Sequence, residues 1–358
     1  MLTELPEYPW DAMAPYVAKA KAHPGGAIDL SIGSPVDPTP AVIREALAKA
    51  TDSHAYPTTM GTPALREAIV EWFARRRGVT GLGVENVLPT IGSKEFVAWL
   101  PTFLTSSTVL YPAVAYPTYL VGAMLAKASH TAVDIDASQW PQADLAWVNS
   151  PSNPTGRVHS QSEYEAAIAW SRNSGGVLVS DECYLEFGRD VTPTSILKYT
   201  GGDNRNILAV HSLSKRSNLA GYRAAFVIGD PQLIAEILEV RKHAGMMVSL
   251  PVQKAMVAAL SDSNHVVRQR DLYNARKATL IPALEAAGFS IEFSNAGLYL
   301  WATRNEDCWD SVAWLAKLGV LATPGIFYGD ATHIRIAMTA TDDQISQAAS
   351  RILAAVKS

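Results

Sequence analysis

Short, continuously apolar runs alternate along this chain with longer stretches of helical spacing. The runs at 87–88, 109–111, 145–148, 177–179, 207–210 and 224–228 each end at a polar or glycine-rich turn. Runs that are apolar throughout, with no in–out alternation, predict strands buried on both faces. Helical patterns fall between them. Thr39-Pro40 reads as an N-cap with proline at the first helical position, opening a helix to about Ala50. A second helix is predicted from Pro63 to Arg77, a short one over 95–100, and another over 162–173. Strands separated by helices predict a mostly parallel sheet covered by helices, an α/β architecture.

After about residue 262 the rhythm changes. A long helix is predicted over 266–287, then strands at 289–293, 298–301 and 333–337, and a closing helix over 344–356. The expected division is an N-terminal segment (1–35) folding back onto a smaller C-terminal α/β domain (263–358), with a larger domain (36–262) between them. Polar residues fall where such a sheet binds ligands, beyond the carboxyl ends of its strands. Gly92-Ser93-Lys94, Asn153, Asp181 and the stretch from Ser212 to Lys215 each follow a strand candidate and can converge on one rim.

Composition narrows the function classes. With 358 residues, 48% hydrophobic and 18% charged, and a mean hydropathy of +0.05, the chain exceeds what one core usually serves. A net charge of -4 and a pI near 6.1 give no support for nucleic-acid binding. Arg75-Arg76-Arg77 ends a predicted helix, where it can face the negative end of the dipole. Two cysteines, Cys183 and Cys308, exclude a disulfide framework and suit a reduced compartment, and the eight histidines are scattered singly, without metal-site spacing. The first residues carry no basic or apolar leader and no run is long enough to span a membrane, so a cytoplasmic protein without a metal is expected.

Five fragments then stand out: Asn153-Pro154-Thr155-Gly156, Asp181-Glu182-Cys183-Tyr184, His211-Ser212-Leu213-Ser214-Lys215, Arg223 eight residues later, and His333-Ile334-Arg335. In this order and spacing the chain resembles the fold-type I pyridoxal 5'-phosphate (PLP) enzymes, specifically the class I/II aminotransferases, over essentially its whole length. The resemblance implies a large domain with a mostly parallel seven-stranded sheet and a smaller α/β domain.

It also implies roles. Lys215 would hold PLP as a Schiff base and move the substrate Cα proton. Asp181 would pair with the pyridine nitrogen, since a carboxylate at the end of a buried strand needs a cation. Tyr184 and Asn153 would contact the ring oxygen O3'. Ser212, Arg223 and the backbone N–H groups of Ser93 and Lys94 would hold the phosphate, helped by Tyr56 from a neighbouring subunit. Tyr116 aligns with the aromatic that stacks on the ring. Arg335 would take the substrate α-carboxylate, with Asn153 and a backbone N–H at Gly33 beside it. A homodimer with shared sites follows from Tyr56.

The stretches 211–223, 239–248 and 296–301 look like the N-succinyl-L,L-diaminopimelate aminotransferase group, actinobacterial in its compact length. That implies ping-pong transamination between the succinylated diaminopimelate intermediate and 2-oxoglutarate or glutamate. One departure is Ala225, where many relatives have glycine. Aspartate aminotransferases and cystathionine β-lyase-like enzymes share the motif set, and fold alone does not fix reaction type. Transcription regulators with an aminotransferase-like domain carry a DNA-binding domain for which there is no room before residue 30.

Overall fold

The computed structural model describes residues 5–357, so most of the N-terminal stretch read for a leader lies outside the described residues. The helices in chain order are α1 (Ala14–Lys21), α2 (Ala41–Ala48), α3 (Pro63–Arg77), α4 (Ser93–Phe103), α5 (Thr118–Leu125) and α6 (Gln161–Ser174), then α7 (Leu213–Arg216), α8 (Pro231–Ala244), α9 (Leu250–Ser261), α10 (Asn264–Ala286), α11 (Cys308–Lys317) and α12 (Asp342–Lys357). The strands are β1 (Ile28–Asp29), β2 (Val87–Ile91), β3 (Thr108–Pro112), β4 (Ser129–Val133), β5 (Leu145–Asn149), β6 (Val177–Asp181) and β7 (Ile207–Ser212). They continue with β8 (Ala224–Gly229), β9 (Ser290–Glu292), β10 (Tyr299–Thr303), β11 (Val320–Leu321), β12 (Thr323–Pro324) and β13 (His333–Ala337).

Local chemistry explains the sharper boundaries. Helix α3 starts where the Thr62 hydroxyl accepts from the Leu65 N–H at 3.3 Å with Pro63 behind it, and it stops at Gly78 in the left-handed region. It buries Leu65, Ile69, Trp72 and Phe73, one face of the helix. Helix α6 opens on a capping box between Ser160 and Glu163. Helix α2 differs from expectation: Pro40 is its N-cap, because the Thr39 hydroxyl donates to the Asn218 carbonyl at 2.9 Å instead of capping.

The large sheet has seven strands in the order β2-β8-β7-β6-β5-β3-β4, all parallel except β8, which runs antiparallel to both neighbours. Alternate residues feed two cores. Ala146, Val148, Leu178 and Ala209 join one, and Leu145, Trp147, Val179, Leu208 and Val210 join the other. Strand β4 escaped the sequence reading because it is an edge strand with four exposed residues. Ala225 lies fully buried between Thr90 and Ser212, a matter of packing.

A third core belongs to the smaller domain. Its four-stranded sheet, β12-β13-β10-β9, packs with α10, α11 and α12, and Met13, Ile28 and Leu30 enter the same cluster. Strand β1 pairs in parallel with β11, tying residues 28–29 to that domain.

The arginines ending α3 meet a carboxylate, where the sequence suggested only the helix dipole. Arg76 and Arg77 approach Glu186 at 2.8 and 2.9 Å, and Arg216, next to Lys215, lies 3.7 Å from it. Arg75 donates to the Leu260 carbonyl at 2.8 Å. Burial alone would raise the Glu186 pKa, but Arg77, Arg216 and Arg76 hold it down at about 2. A depressed carboxylate contributes stability that is present above its unfolded pKa and lost as pH falls toward the folded one. Glu186→Gln, which strands the buried guanidinium groups of Arg77 and Arg216, should therefore cost about 3–5 kcal/mol at neutral pH. Urea unfolding should show this gap narrowing between about pH 4.5 and 2.

Candidate active site

The carboxyl ends of β5, β6 and β7 converge on one cleft of about 320 Å³. Strand β6 delivers Asp181, only 6% exposed. Its carboxylate accepts from the Tyr119 hydroxyl at 2.9 Å and from the Cys183 N–H at 3.2 Å. Among the described residues no cationic side chain pairs with it, and burial pushes its pKa up. Strand β5 ends in Asn149, whose side chain donates to the Asp181 carbonyl at 2.9 Å and accepts from the Asn153 N–H at 2.7 Å. Asn153 is thereby tied through Asn149 to the backbone at the end of β6.

Strand β7 ends in Ser212, which caps the short turn of α7 by accepting from the Ser214 N–H at 3.1 Å. Lys215 follows, with its amine donating to the Gly33 carbonyl. Burial, then the positive charges of Arg335 and Arg223, pull the Lys215 pKa down to about 8. Beyond β2, Gly92 adopts φ 76° and leads into α4 at Ser93 and Lys94. A Cβ on Gly92 would sit 2.1 Å from an Arg223 Nη atom, so the turn needs glycine for the guanidinium to reach the helix N-terminus.

Arg335, on β13, is buried. It donates to Asn153 Oδ1 at 2.9 Å and to the Ser31 carbonyl at 2.6 Å, and no carboxylate pairs with it among the described residues. Burial works against its charge, yet the surrounding Tyr328, Tyr299 and Tyr184 rings leave its pKa raised.

Ser93, Lys94, Tyr116, Asn153, Asp181, Tyr184, Ser212, Lys215, Arg223, Gly33 and Arg335 all line this cleft. Tyr56 does not: it is 93% exposed, away from the others. Sequence reasoning passed over Tyr119, Cys183, Tyr299, Tyr8, Trp10 and Ile32, which also line it. Tyr119 lies three residues after Tyr116, and that helical spacing at the mouth of α5 was a usable signal.

The model of the family "Aminotransferase class I and II" matches residues 26–352. The chain belongs to that family. The chain is 53% identical to 4-dedimethylamino-4-oxo-anhydrotetracycline transaminase OxyQ of Streptomyces rimosus, over 98% of this chain and 100% of that one. It is 52% identical to a probable aminotransferase of Mycobacterium tuberculosis, over 97% of this chain and 85% of that protein. Among solved structures, a probable N-succinyldiaminopimelate aminotransferase of Thermus thermophilus superposes with a TM-score of 0.88 at 29% identity, covering 97% of this chain and 100% of that one.

Class I/II aminotransferases use PLP, and the cleft of this one fits it. Asp181 is a buried carboxylate with neutral partners only, which suits a protonated ring nitrogen. The cradle between Gly92 and Arg223 at the start of α4 suits a phosphate. When bound, PLP supplies the electron sink that lets a Cα–H bond of an amino acid ionise.

The lowered Lys215 pKa has a direct consequence, because a depressed lysine is half neutral, hence nucleophilic, near its folded value. PLP added to the cofactor-free enzyme, trapped with borohydride at a series of pH values, should label Lys215 with a half-rise near pH 8. A half-rise at the ordinary lysine value, about 10.4, would contradict the burial and charge argument.

Proposed function

We propose that this aminotransferase runs a ping-pong transfer between an amino acid and a 2-oxo acid, with Lys215 as its catalytic residue. One observation carries the reading: an amine of lowered pKa, Lys215, lines the same cleft as a buried carboxylate without a cation, Asp181, and a buried guanidinium without a carboxylate, Arg335. Such lone buried charges are costly unless ligands complete them. In this reading Asp181 faces the ring nitrogen, and Tyr184 and Asn153 face the ring oxygen. Ser212, Arg223 and the backbone of Ser93 and Lys94 hold the phosphate. Tyr116 covers the ring. Arg335, Asn153 and Gly33 receive the substrate carboxylate, and Lys215 moves the proton at Cα.

The proposed unit is a homodimer in which the exposed Tyr56 reaches the phosphate of the partner subunit's site. Domain limits near residues 35 and 262 belong to the same reading. They are supported by the separate core that residues of the N-terminal segment share with the C-terminal sheet.

For the substrate we propose N-succinyl-L,L-2,6-diaminopimelate with 2-oxoglutarate as acceptor. The stretches 211–223, 239–248 and 296–301 and the Thermus thermophilus likeness support it. A second reading is favoured by the apolar surface that Tyr8, Trp10 and Ile32 add to the cleft. Together with the 53% identity to OxyQ, this favours a bulky ring ketone as acceptor.

A half-reaction screen separates the two readings. Conversion of the cofactor's visible absorbance should be faster with the succinylated diamine than with aspartate or alanine. No such preference would reject that substrate, and re-oxidation of the amino form by an aryl ketone would support the alternative.

Lys215→Ala should still bind PLP non-covalently while turnover falls by about 10⁴-fold or more, measured by 2-oxo acid release. Tyr56→Phe should weaken PLP retention on dialysis, and a fully active monomer in sedimentation would contradict the shared site.

A further inference from the structure

Arg335 and Tyr184 come from different elements, yet both end on one side chain that the reading above leaves without a role. Tyr299 on β10 is buried and lines the cleft. In the antiparallel pairing of β10 with β13 it lies opposite Ala337, while Arg335 lies opposite Trp301. Residues two apart share a face, so Tyr299 and Arg335 are diagonal neighbours on the face toward the cleft. The small Ala337 leaves the ring accessible, and the Arg335 guanidinium carbon sits 4.2 Å from its centroid.

The hydroxyl of the same residue lies 3.1 Å from the Tyr184 hydroxyl, with the two rings edge-on. It also sets how close the segment at Gly33 may come, since a Cβ there would approach the Tyr299 hydroxyl to 2.3 Å. Tyr328 flanks Arg335 as well, at 4.9 Å, but its hydroxyl has no hydrogen-bond partner among the described residues. Tyr328 can support the guanidinium alone. Tyr299 touches three groups at once.

We propose that Tyr299 is a positioning residue for amino transfer: its ring presents Arg335 to the substrate carboxylate, and its hydroxyl aims the Tyr184 phenol at the cofactor's ring oxygen. This rests on the roles given to Arg335 and Tyr184 above. Tyr184 has one proton to give. If that proton points into the cleft, the Tyr299 hydroxyl must donate to the Tyr184 oxygen, and a phenol that accepts one hydrogen bond donates a stronger one. Burial pushes the Tyr184 phenol well above its usual range, so it remains a donor throughout the working pH.

Two variants separate the two contacts. Tyr299→Phe keeps the ring and removes the hydroxyl, whereas Tyr299→Leu removes both. The first measurement is the pH midpoint of the visible absorbance of the PLP-loaded enzyme. A phenol donating to the ring oxygen competes with that oxygen's bond to the proton on the lysine-linked nitrogen. Weakening the phenol should therefore raise the midpoint, by about half to one pH unit in Tyr299→Phe. Tyr184→Phe should raise it at least as far, and the double variant should go no further than Tyr184→Phe. The second measurement is propionate binding to the loaded enzyme by calorimetry, which should be unchanged in Tyr299→Phe and about three- to tenfold weaker in Tyr299→Leu.

If Tyr184→Phe raises the midpoint and Tyr299→Phe does not, the proposal is overturned and the role of Tyr184 stands. Propionate binding in Tyr299→Leu equal to the parent would overturn the ring's part. A midpoint unmoved in Tyr184→Phe, or propionate binding unchanged in Arg335→Gln, would instead overturn the underlying roles and the proposal with them.

Discussion

A carboxylate at the end of a fully buried strand is the constraint around which the cleft is organised. Every residue of β6 is buried, so Asp181 cannot turn to bulk water for compensation. The fold surrounds it with neutral donors, the Tyr119 hydroxyl and the Cys183 N–H, and places no cationic side chain in contact with it among the described residues. Its backbone is as constrained as its side chain. The Asp181 carbonyl accepts from both the Ser150 N–H and Asn149 Nδ2, so the end of β6 and the loop carrying Asn153 are fixed as one piece.

That rigidity is passed on by two sets of contacts. On one side, Glu186 draws together α3, the loop that carries Tyr184, and the turn that carries Lys215 through Arg76, Arg77 and Arg216. On the other, Ser294 and Ala296 donate to the carbonyls of Thr155 and Gly156, while Gly297 donates to Phe187. The short stretch before β10 thus holds the Asn153 loop and the Tyr184 loop at once. Charges buried in this manner are costly when one partner is missing, which makes the arrangement an all-or-none frame more than a sum of separate bonds.

How much of this was legible in the sequence depends on what each residue's neighbours are. Strands β5 to β8 were visible because both of their faces are covered, so their residues are apolar without interruption. Strand β4 was not, because at an edge the same backbone carries Ser129, His130 and Thr131 facing solvent. Asp181 and the Ser212–Lys215 stretch stood out as polar residues after apolar runs, Arg223 by its place eight residues after the lysine, and the structure brings them to one rim. Their roles still rest on family likeness combined with geometry. Tyr299 and Tyr119 stayed hidden because an aromatic inside a strand or helix normally signals core packing. Only the register of β10 against β13 shows that one of them lies beneath an arginine. Tyr56 lies 93% exposed and outside the cleft, so in this chain only the likeness to the family speaks to it.

The segment from Leu30 to Gly33 shows how the two ends of the site are kept in step. The Leu30 carbonyl accepts from the Ala337 N–H, Ser31 O accepts from both Thr323 and Arg335, and Ile32 O accepts from Thr339. Three successive carbonyls are therefore anchored to the smaller domain, next to the strand that carries Arg335. The fourth, at Gly33, receives the amine of Lys215, which is mounted on the large domain. The segment whose Ser31 carbonyl meets Arg335 is thus the segment whose Gly33 carbonyl, two residues on, meets the lysine. This coupling depends on residue 33 lacking a side chain, since a Cβ there would strike the Tyr299 hydroxyl and push the carbonyl away from the amine.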